Sequence, residues 1–227
     1  MADLEKYDTL LKSYTQLHQK LTIRRKVSFA RLLEDYFELQ KALYCRNREK
    51  ASNFNPFNLL GLTTDELAHS TVLADLFDPY GTHNQGDLFF RHFINHFGFN
   101  IDYDPWEYRV RKEYVGIESR IDILVYGKKF IFYIENKTLS SEGLGQTERE
   151  YGDLLRFSKI LNISRDNIFP IFLNPKGELP KDEHWTRVSY SLLAQSLDGA
   201  LCEVKSDYVR FFVQSWLSIL KMIGGME

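Results

Sequence analysis

Asp122, Glu135 and Lys137 are the residues of this chain whose types and spacing suit chemistry together. They stand in Arg120-Ile121-Asp122-Ile123-Leu124 and Ile134-Glu135-Asn136-Lys137, with twelve residues between Asp122 and Glu135. That interval suits a β-hairpin turned at Gly127-Lys128, and side chains two apart on a strand share a face. A two-residue loop there pairs Tyr126 with Lys129 and sets Asp122 opposite Tyr133. Asp122, Glu135 and Lys137 then share one face, with Glu135 diagonal to Asp122. Ile121, Ile123, Val125, Phe132 and Ile134 form the opposite, core side. Two carboxylates a few ångström apart repel unless a cation sits between them. Oxygen donors select a hard ion, magnesium or manganese, and magnesium commonly takes one or two carboxylates together with a substrate phosphate. A lysine beside such an ion can orient a water or stabilise charge on a phosphate oxygen. This is equipment for hydrolysing a phosphodiester.

The elements around this hairpin follow from periodicity. Apolar residues at helical spacing, with no Gly or Pro, predict two helices over 3–21 and 26–47, broken near Leu21-Thr22-Ile23 and forming a helical hairpin. Asn53 to Asn58 punctuates, and the chain divides into a helical appendage, 1–52, and a main domain, 53–227. Thr63-Thr64-Asp65-Glu66 has the form of a capping box opening a helix that runs to Phe77. A second helix fits 86–97. Strands are expected at Tyr108–Tyr114, around Ile121–Tyr126, at Phe130–Lys137 and at Ile168–Leu173, with a helix over 144–161 between the last two. A C-terminal helix carries Tyr208, Phe212, Trp216, Ile219 and Ile223 on one stripe. Antiparallel strands followed by a crossover helix imply an α/β fold with a mixed sheet.

Asp122 followed by Glu135-Asn136-Lys137 resembles the D-(x)n-(D/E)-x-K signature of the PD-(D/E)XK nuclease superfamily, although Ile121 stands where the name has Pro. The stretches Asn58-Leu59-Leu60-Gly61, Glu66-Leu67-Ala68-His69-Ser70 and Leu76-Phe77-Asp78-Pro79 resemble the upstream region of one bacterial branch, and the likeness spans about residues 56–175. The resemblance implies a restriction-endonuclease-like core and a metal-dependent nuclease, with DNA as the substrate most of the superfamily uses and defence against phage as a setting. It implies that Asp122, Glu135, Glu66 and the backbone carbonyl of Asn136 bind Mg2+ or Mn2+, and that Lys137 serves the attacking water. Gln146 matches the glutamine of a Q-x-x-x-Y motif. Here Glu150 occupies the fourth place and Tyr151 the fifth, roughly 500° around a helix, off the Gln146 face. Glu113, in the strand before the hairpin, is given a functional place by the same likeness.

Plainer readings compete with several of these. Glu66 has the position of a capping residue. His69, one turn on from it, suits a phosphate contact or a satisfied structural histidine. Arg109, Arg111 and Lys112 suit a phosphate backbone or a solvated strand face, and Arg24-Arg25-Lys26 reads as a solvated face. His83, His92 and His96 form no convincing metal set and read as surface residues. Composition narrows the classes further. Lys plus Arg number 29 and Asp plus Glu 31, a net charge of −2 that excludes a globally basic nucleic-acid coat. Hydrophobic residues at 44% and charged residues at 26% give an ordinary globular balance. Two cysteines far apart exclude a disulfide scaffold and a cysteine zinc site, which fits a reduced cytoplasmic protein. No segment has the length and apolarity of a membrane span. Two functions rival this one: a catalytically silent binding or assembly module on this fold, against which the intact Asp122, Glu135 and Lys137 argue, and an RNA-directed nuclease toxin that keeps the same site. The N-terminal helices offer a surface for a homodimer.

Overall fold

A computed structural model describes residues 2–48, 51, 54–140 and 142–225. The chain divides into two compact units, Met1–Phe54 and Asn55–Glu227. The boundary expected between 52 and 53 falls on residues outside those described.

The first unit corrects the expected hairpin. It is one continuous helix, α1 (Ala2–Arg48), 47 residues long. The expected break fails because β-branched Thr22 and Ile23 cost only a few tenths of a kcal/mol each, and Arg and Lys beyond them are good helix formers. Ser13, Thr15 and Thr22 turn their hydroxyls back onto the carbonyls of Thr9, Leu11 and His18, at 2.8–2.9 Å, so these polar side chains stay inside the helical pattern. Leu17, Ile23, Phe29, Leu32 and Phe37 are exposed along it. No helix among the described residues is long and apolar enough to cross a membrane.

The second unit is built on a five-stranded sheet in the order β1-β2-β3-β4-β5. β1 (Arg109–Val115), β2 (Arg120–Tyr126) and β3 (Ile131–Asn136) run antiparallel in succession. β4 (Ile168–Asn174) and β5 (Thr186–Ser189) continue parallel to β3. The expected mixed sheet is therefore present, with β5 added. Four residues with one buried apolar side chain, Val188, carry too little alternation to announce a strand. A one-turn helix α2 (Pro56–Leu59) precedes α3 (Glu66–Phe77) and α4 (Leu88–Phe97). α5 (Gln146–Leu161) links β3 to β4, and α6 (Tyr190–Asp198) and α7 (Asp207–Ile223) close the chain.

Both faces of the sheet are covered. Ile123, Val125, Phe132, Ile134 and Ile171 pack with Phe77, Phe90, Phe93, Leu197 and Trp216, which come from α3, α4, α6 and α7. Leu124, Ile131, Tyr133 and Phe172 pack with Leu154 of α5 and with Ile163 and Trp185. The alternation of β3, Phe132 and Ile134 one way and Ile131 and Tyr133 the other, separates the two cores.

The hairpin register differs from the expected one. Tyr126 pairs with Ile131, Leu124 with Tyr133 and Ile123 with Ile134. The loop is Gly127–Phe130, closed by the Gly127 N–H on the Phe130 carbonyl at 3.0 Å. Phe130 is drawn out of the strand because its ring is buried in the core. A Cβ on Gly127 would lie 2.6 Å from that ring, so glycine is required there by close approach. A slip of one residue would have turned every side chain to the other face. A change of two preserves the faces and, continued one step, sets Asp122 directly opposite Glu135. Ile121 is a further correction: it packs with Leu124 and Tyr133 rather than with Ile123. The alternation breaks at Asp122, opposite Glu113, whose φ of +50° is left-handed.

Candidate active site

Asp122 and Glu135 meet where the ends of β2 and β3 lie side by side. Asp122 Oδ2 accepts the backbone N–H of Asn136 at 2.8 Å. Glu135 is 2% exposed, and its Oε1 accepts from Lys137 Nζ at 2.6 Å and from Gln146 Nε2 at 2.5 Å. Glu135 Oε2 is buried with no hydrogen-bond partner. Burial, opposed by the Asn136 N–H and Lys137, pushes the Asp122 carboxyl up to about 6. Burial and then the charge of Asp122 push Glu135 up to about 7. Burial works against the charge of Lys137, but Glu135, Glu66 and Asp122 outweigh it and hold the ammonium above the ordinary lysine value. The cluster thus holds buried acids whose negative charge a single lysine compensates only in part.

The elements that hold these groups are identifiable. Gln146 opens α5, and its amide is fully engaged. Nε2 donates to Glu135 and to Glu150 Oε1, the latter at 2.8 Å, while Oε1 accepts the Gly143 N–H at 3.1 Å. Glu150 stands one helical turn on and is 1% exposed. Burial and then the charge of Glu135 push its carboxyl up to about 9. The four-residue spacing from Gln146 marks a same-face pair in the sequence, but spacing alone gives Glu150 no role. Tyr151 is turned away and stacks on His184, with ring centroids 4.2 Å apart.

Glu66 does not form the expected capping box. Asp65, immediately before the first helical residue, takes the N-cap, and its Oδ1 accepts the Ala68 N–H at 2.9 Å. Glu66 is thereby free to reach the chain after β3. Its Oε2 accepts the Thr138 N–H at 3.0 Å and the Ser140 hydroxyl at 2.8 Å, and its Oε1 lies 3.7 Å from Lys137 Nζ. This places Glu66 beside the lysine, with its oxygens engaged by protein groups. The sequence holds no signal for Thr138 and Ser140.

Asn136 points to the opposite core. Its Nδ2 donates to Ser70 Oγ at 3.0 Å and to the Glu66 carbonyl at 3.2 Å, and its Oδ1 accepts from the Tyr190 hydroxyl at 2.8 Å. That clamp fixes the backbone between Glu135 and Lys137. His69 belongs to the same buried layer. Its Nδ1 accepts from Trp216 Nε1 at 2.8 Å, so its Nε2–H donates to the Thr63 carbonyl at 2.9 Å. Burial lowers its pKa, in keeping with a neutral ring. Both nitrogens are used, which corrects the phosphate contact weighed for His69: it is a structural histidine. His83 is also buried rather than on the surface, with its ring bonded at both nitrogens to the backbone of Asp78 and Gln85.

The basic residues of β1 are exposed and reach different neighbours. Arg109 donates to the Tyr108 carbonyl at 2.8 Å and lies over the Tyr80 ring, Arg111 meets the Tyr126 hydroxyl, and Lys112 donates to Thr71 Oγ1 at 2.9 Å. Glu113 pairs with Arg120 at 2.8 Å.

The donor set suits a hard divalent cation. Its oxygens are carboxylates on adjacent strands, and one, Glu135 Oε2, is buried and unpartnered. Among the described residues, no group of three or more His, Cys, Asp or Glu could hold a metal ion. Glu66 is therefore not brought into a common metal cluster with Asp122 and Glu135. Two carboxylates suffice for magnesium, which keeps several waters.

A family model described as the PD-(D/E)XK nuclease superfamily matches residues 54–222. Neither the search of curated proteins nor that of solved structures returns a match.

Proposed function

The chain belongs to the PD-(D/E)XK nuclease superfamily, and from that membership we propose that it hydrolyses phosphodiester bonds in nucleic acid, DNA foremost, at Asp122, Glu135 and Lys137 with Mg2+ or Mn2+. The observation that carries this reading is the meeting of Asp122 and Glu135 at the adjoining ends of β2 and β3, Asp122 bonded to the Asn136 N–H at 2.8 Å and Glu135 to Lys137 Nζ at 2.6 Å. Asp122, Glu135 and the backbone carbonyl of Asn136 would hold the cation. Bound there, the cation supplies a Lewis acid for the scissile phosphate and lowers the pKa of a water.

The side chains divide the remaining work. Glu135, Glu66 and Asp122 hold Lys137 as an ammonium in the metal-free site, and its positive charge would orient the attacking water and offset charge on phosphate oxygens. Glu135 and Glu66 hold that ammonium in place. Gln146 positions Glu135 through its amide. Glu66 acts through Lys137 and the 138–140 segment rather than as a metal ligand. Arg109, Arg111 and Lys112, exposed on the edge strand, are available to phosphates of the substrate.

A second copy bound through α1 belongs to the same proposal. Leu10, Tyr14, Leu17 and Leu21 recur at spacings of four and three, as do Phe29, Leu32, Tyr36, Leu39 and Leu43, and nearly all are exposed. The deciding experiment is hydrolysis of circular DNA, linear DNA and single-stranded RNA with magnesium, manganese or EDTA. Asp122→Ala and Lys137→Ala run alongside. Metal-dependent cutting that both substitutions abolish is the expected result, and the preferred polymer defines the substrate. Cutting that survives both would overturn the site.

A further inference from the structure

We propose that Glu150 is a positioning residue of this site: it clamps the Gln146 amide so that the metal-binding carboxylate of Glu135 is held in one orientation. The inference rests on the nuclease reading above and adds a residue to it.

A primary amide has two N–H donors and one carbonyl acceptor. Gln146 directs all of them at fixed partners: Nε2 at Glu135 Oε1 and Glu150 Oε1, and Oε1 at the Gly143 N–H. An amide turned over would set its NH2 against the Gly143 N–H and its carbonyl oxygen against Glu135 Oε1. Only one orientation is therefore open, and Glu150 supplies one of the three contacts that enforce it. Glu150 can do so because it lies four residues after Gln146 on α5, on the same helix face. It is 1% exposed, so water does not compete for the contact.

The consequence reaches Glu135. Its Oε1 is occupied by Lys137 and by Gln146, and its Oε2 alone is left without a protein partner. A loosened Gln146 would let the Glu135 carboxylate turn about its last bond, out of the plane in which one oxygen meets Lys137 and the other is left unpartnered. Glu150 thus acts at one remove: it fixes Gln146, Gln146 fixes Oε1, and Oε2 is kept for a cation. Outer partners of this kind typically change metal affinity or activity by about 10–100-fold when removed.

The test is a double-mutant cycle read as Mn2+ affinity, by electron paramagnetic resonance of free Mn2+, on the full chain without nucleic acid. The variants are Gln146→Leu, Glu150→Leu and the double substitution, with Glu150→Met as a second apolar probe and Glu150→Gln as the conservative one. Circular dichroism establishes that each is folded. Expected are losses of about 10–100-fold for each single leucine variant, a double variant no weaker than Gln146→Leu alone, and recovery to within a few-fold in Glu150→Gln, which keeps the acceptor. Additive losses, unchanged affinity in folded Glu150→Leu or Glu150→Met, or a Glu150→Gln variant as weak as Glu150→Leu would each overturn the proposal. Asp122→Asn is the control for the reading beneath it. Should Asp122→Asn bind Mn2+ normally, the site itself is misassigned. Should it abolish binding while the Glu150 variants do not move it, only the role of Glu150 falls.

Discussion

Replacing Asp122 with asparagine should stabilise the protein while disabling its site. Asp122 lies close enough to Glu135 for their charges to interact, and one lysine compensates them only in part. Burial raises its carboxyl from 3.8 to about 6. The sign follows from linkage. Below about pH 4 the group is protonated both folded and unfolded, and it costs nothing. Between about 4 and 6 the unfolded chain ionises first, and the cost grows until it is complete above about pH 6. At about 1.36 kcal/mol for each tenfold change in proton affinity, the full cost is about 3 kcal/mol. The new asparagine side chain would keep an acceptor for the Asn136 N–H and present an NH2 toward Glu135, so Asp122→Asn removes the cost without opening a cavity. For a chain of this size, about 2–4 °C per kcal/mol gives a rise in melting temperature of roughly 6–12 °C at pH 8 in EDTA. The rise should vanish near pH 4. All three tryptophans, Trp106, Trp185 and Trp216, lie in the second unit, so tryptophan fluorescence during melting reports on the unit that carries the site. Added Mg2+ should stabilise the wild type by about 2.7 kcal/mol at a hundredfold excess over its Kd and leave the variant unmoved. A variant less stable than wild type at pH 8 in EDTA, or equally favoured at pH 4 and pH 8, would refute the electrostatic reasoning.

Other substitutions test other links. Lys137→Ala should lower kcat by at least about 100-fold on the preferred polymer, because its charge acts on the reacting phosphate, and should also lower the melting temperature at pH 8, because it leaves the buried Glu135 carboxylate without its cation. Gly127→Ala should cost about 1–3 kcal/mol in urea unfolding, since its Cβ would meet the Phe130 ring at 2.6 Å, and unchanged stability would contradict the four-residue turn. His69→Phe should cost about 1–3 kcal/mol by stranding the buried Trp216 N–H while leaving kcat near wild type. Light scattering of the full chain should give the mass of a dimer, and Phe29→Glu with Leu32→Glu should return it to a monomer.

Much of this arrangement is legible in the residues themselves. The alternation of Ile123, Val125, Phe132 and Ile134 reveals the hairpin and its buried face, and the polar interruptions at Asp122, Glu135 and Lys137 mark the end that holds the proposed site. The two-residue difference in register leaves that inference intact because side chains on a strand repeat every two residues. What escapes is whatever depends on competition between neighbours. Thr63 and Asp65 are both good caps, and only the folded chain shows that Asp65 wins and frees Glu66 for the segment after β3. Leu21-Thr22-Ile23 is weak helix, but weakness is not a stop, and nothing in the chain opposes continuation.

The active-site layer is the hardest to read because its members look ordinary alone. Glu150 reads as one more helical acid, and Tyr190 and Ser70 as one more core pair. Their significance is a matter of saturation. Gln146, Asn136 and His69 each have every polar atom of their side chains satisfied by the protein, which removes their freedom to turn. Three buried polar atoms among the described residues have no hydrogen-bond partner: Tyr133 Oη, Glu135 Oε2 and Glu150 Oε2. All three lie on the α5 side of the sheet, beside a site whose neighbours are otherwise saturated. A protein that commits so many hydrogen bonds to fixing one layer, and leaves a carboxylate oxygen there unmatched, carries the cost of an unpaired buried acceptor in its metal-free form. A hard cation bound at Glu135 Oε2, as proposed, would relieve that cost and so tie the stability of the fold to the chemistry of the site.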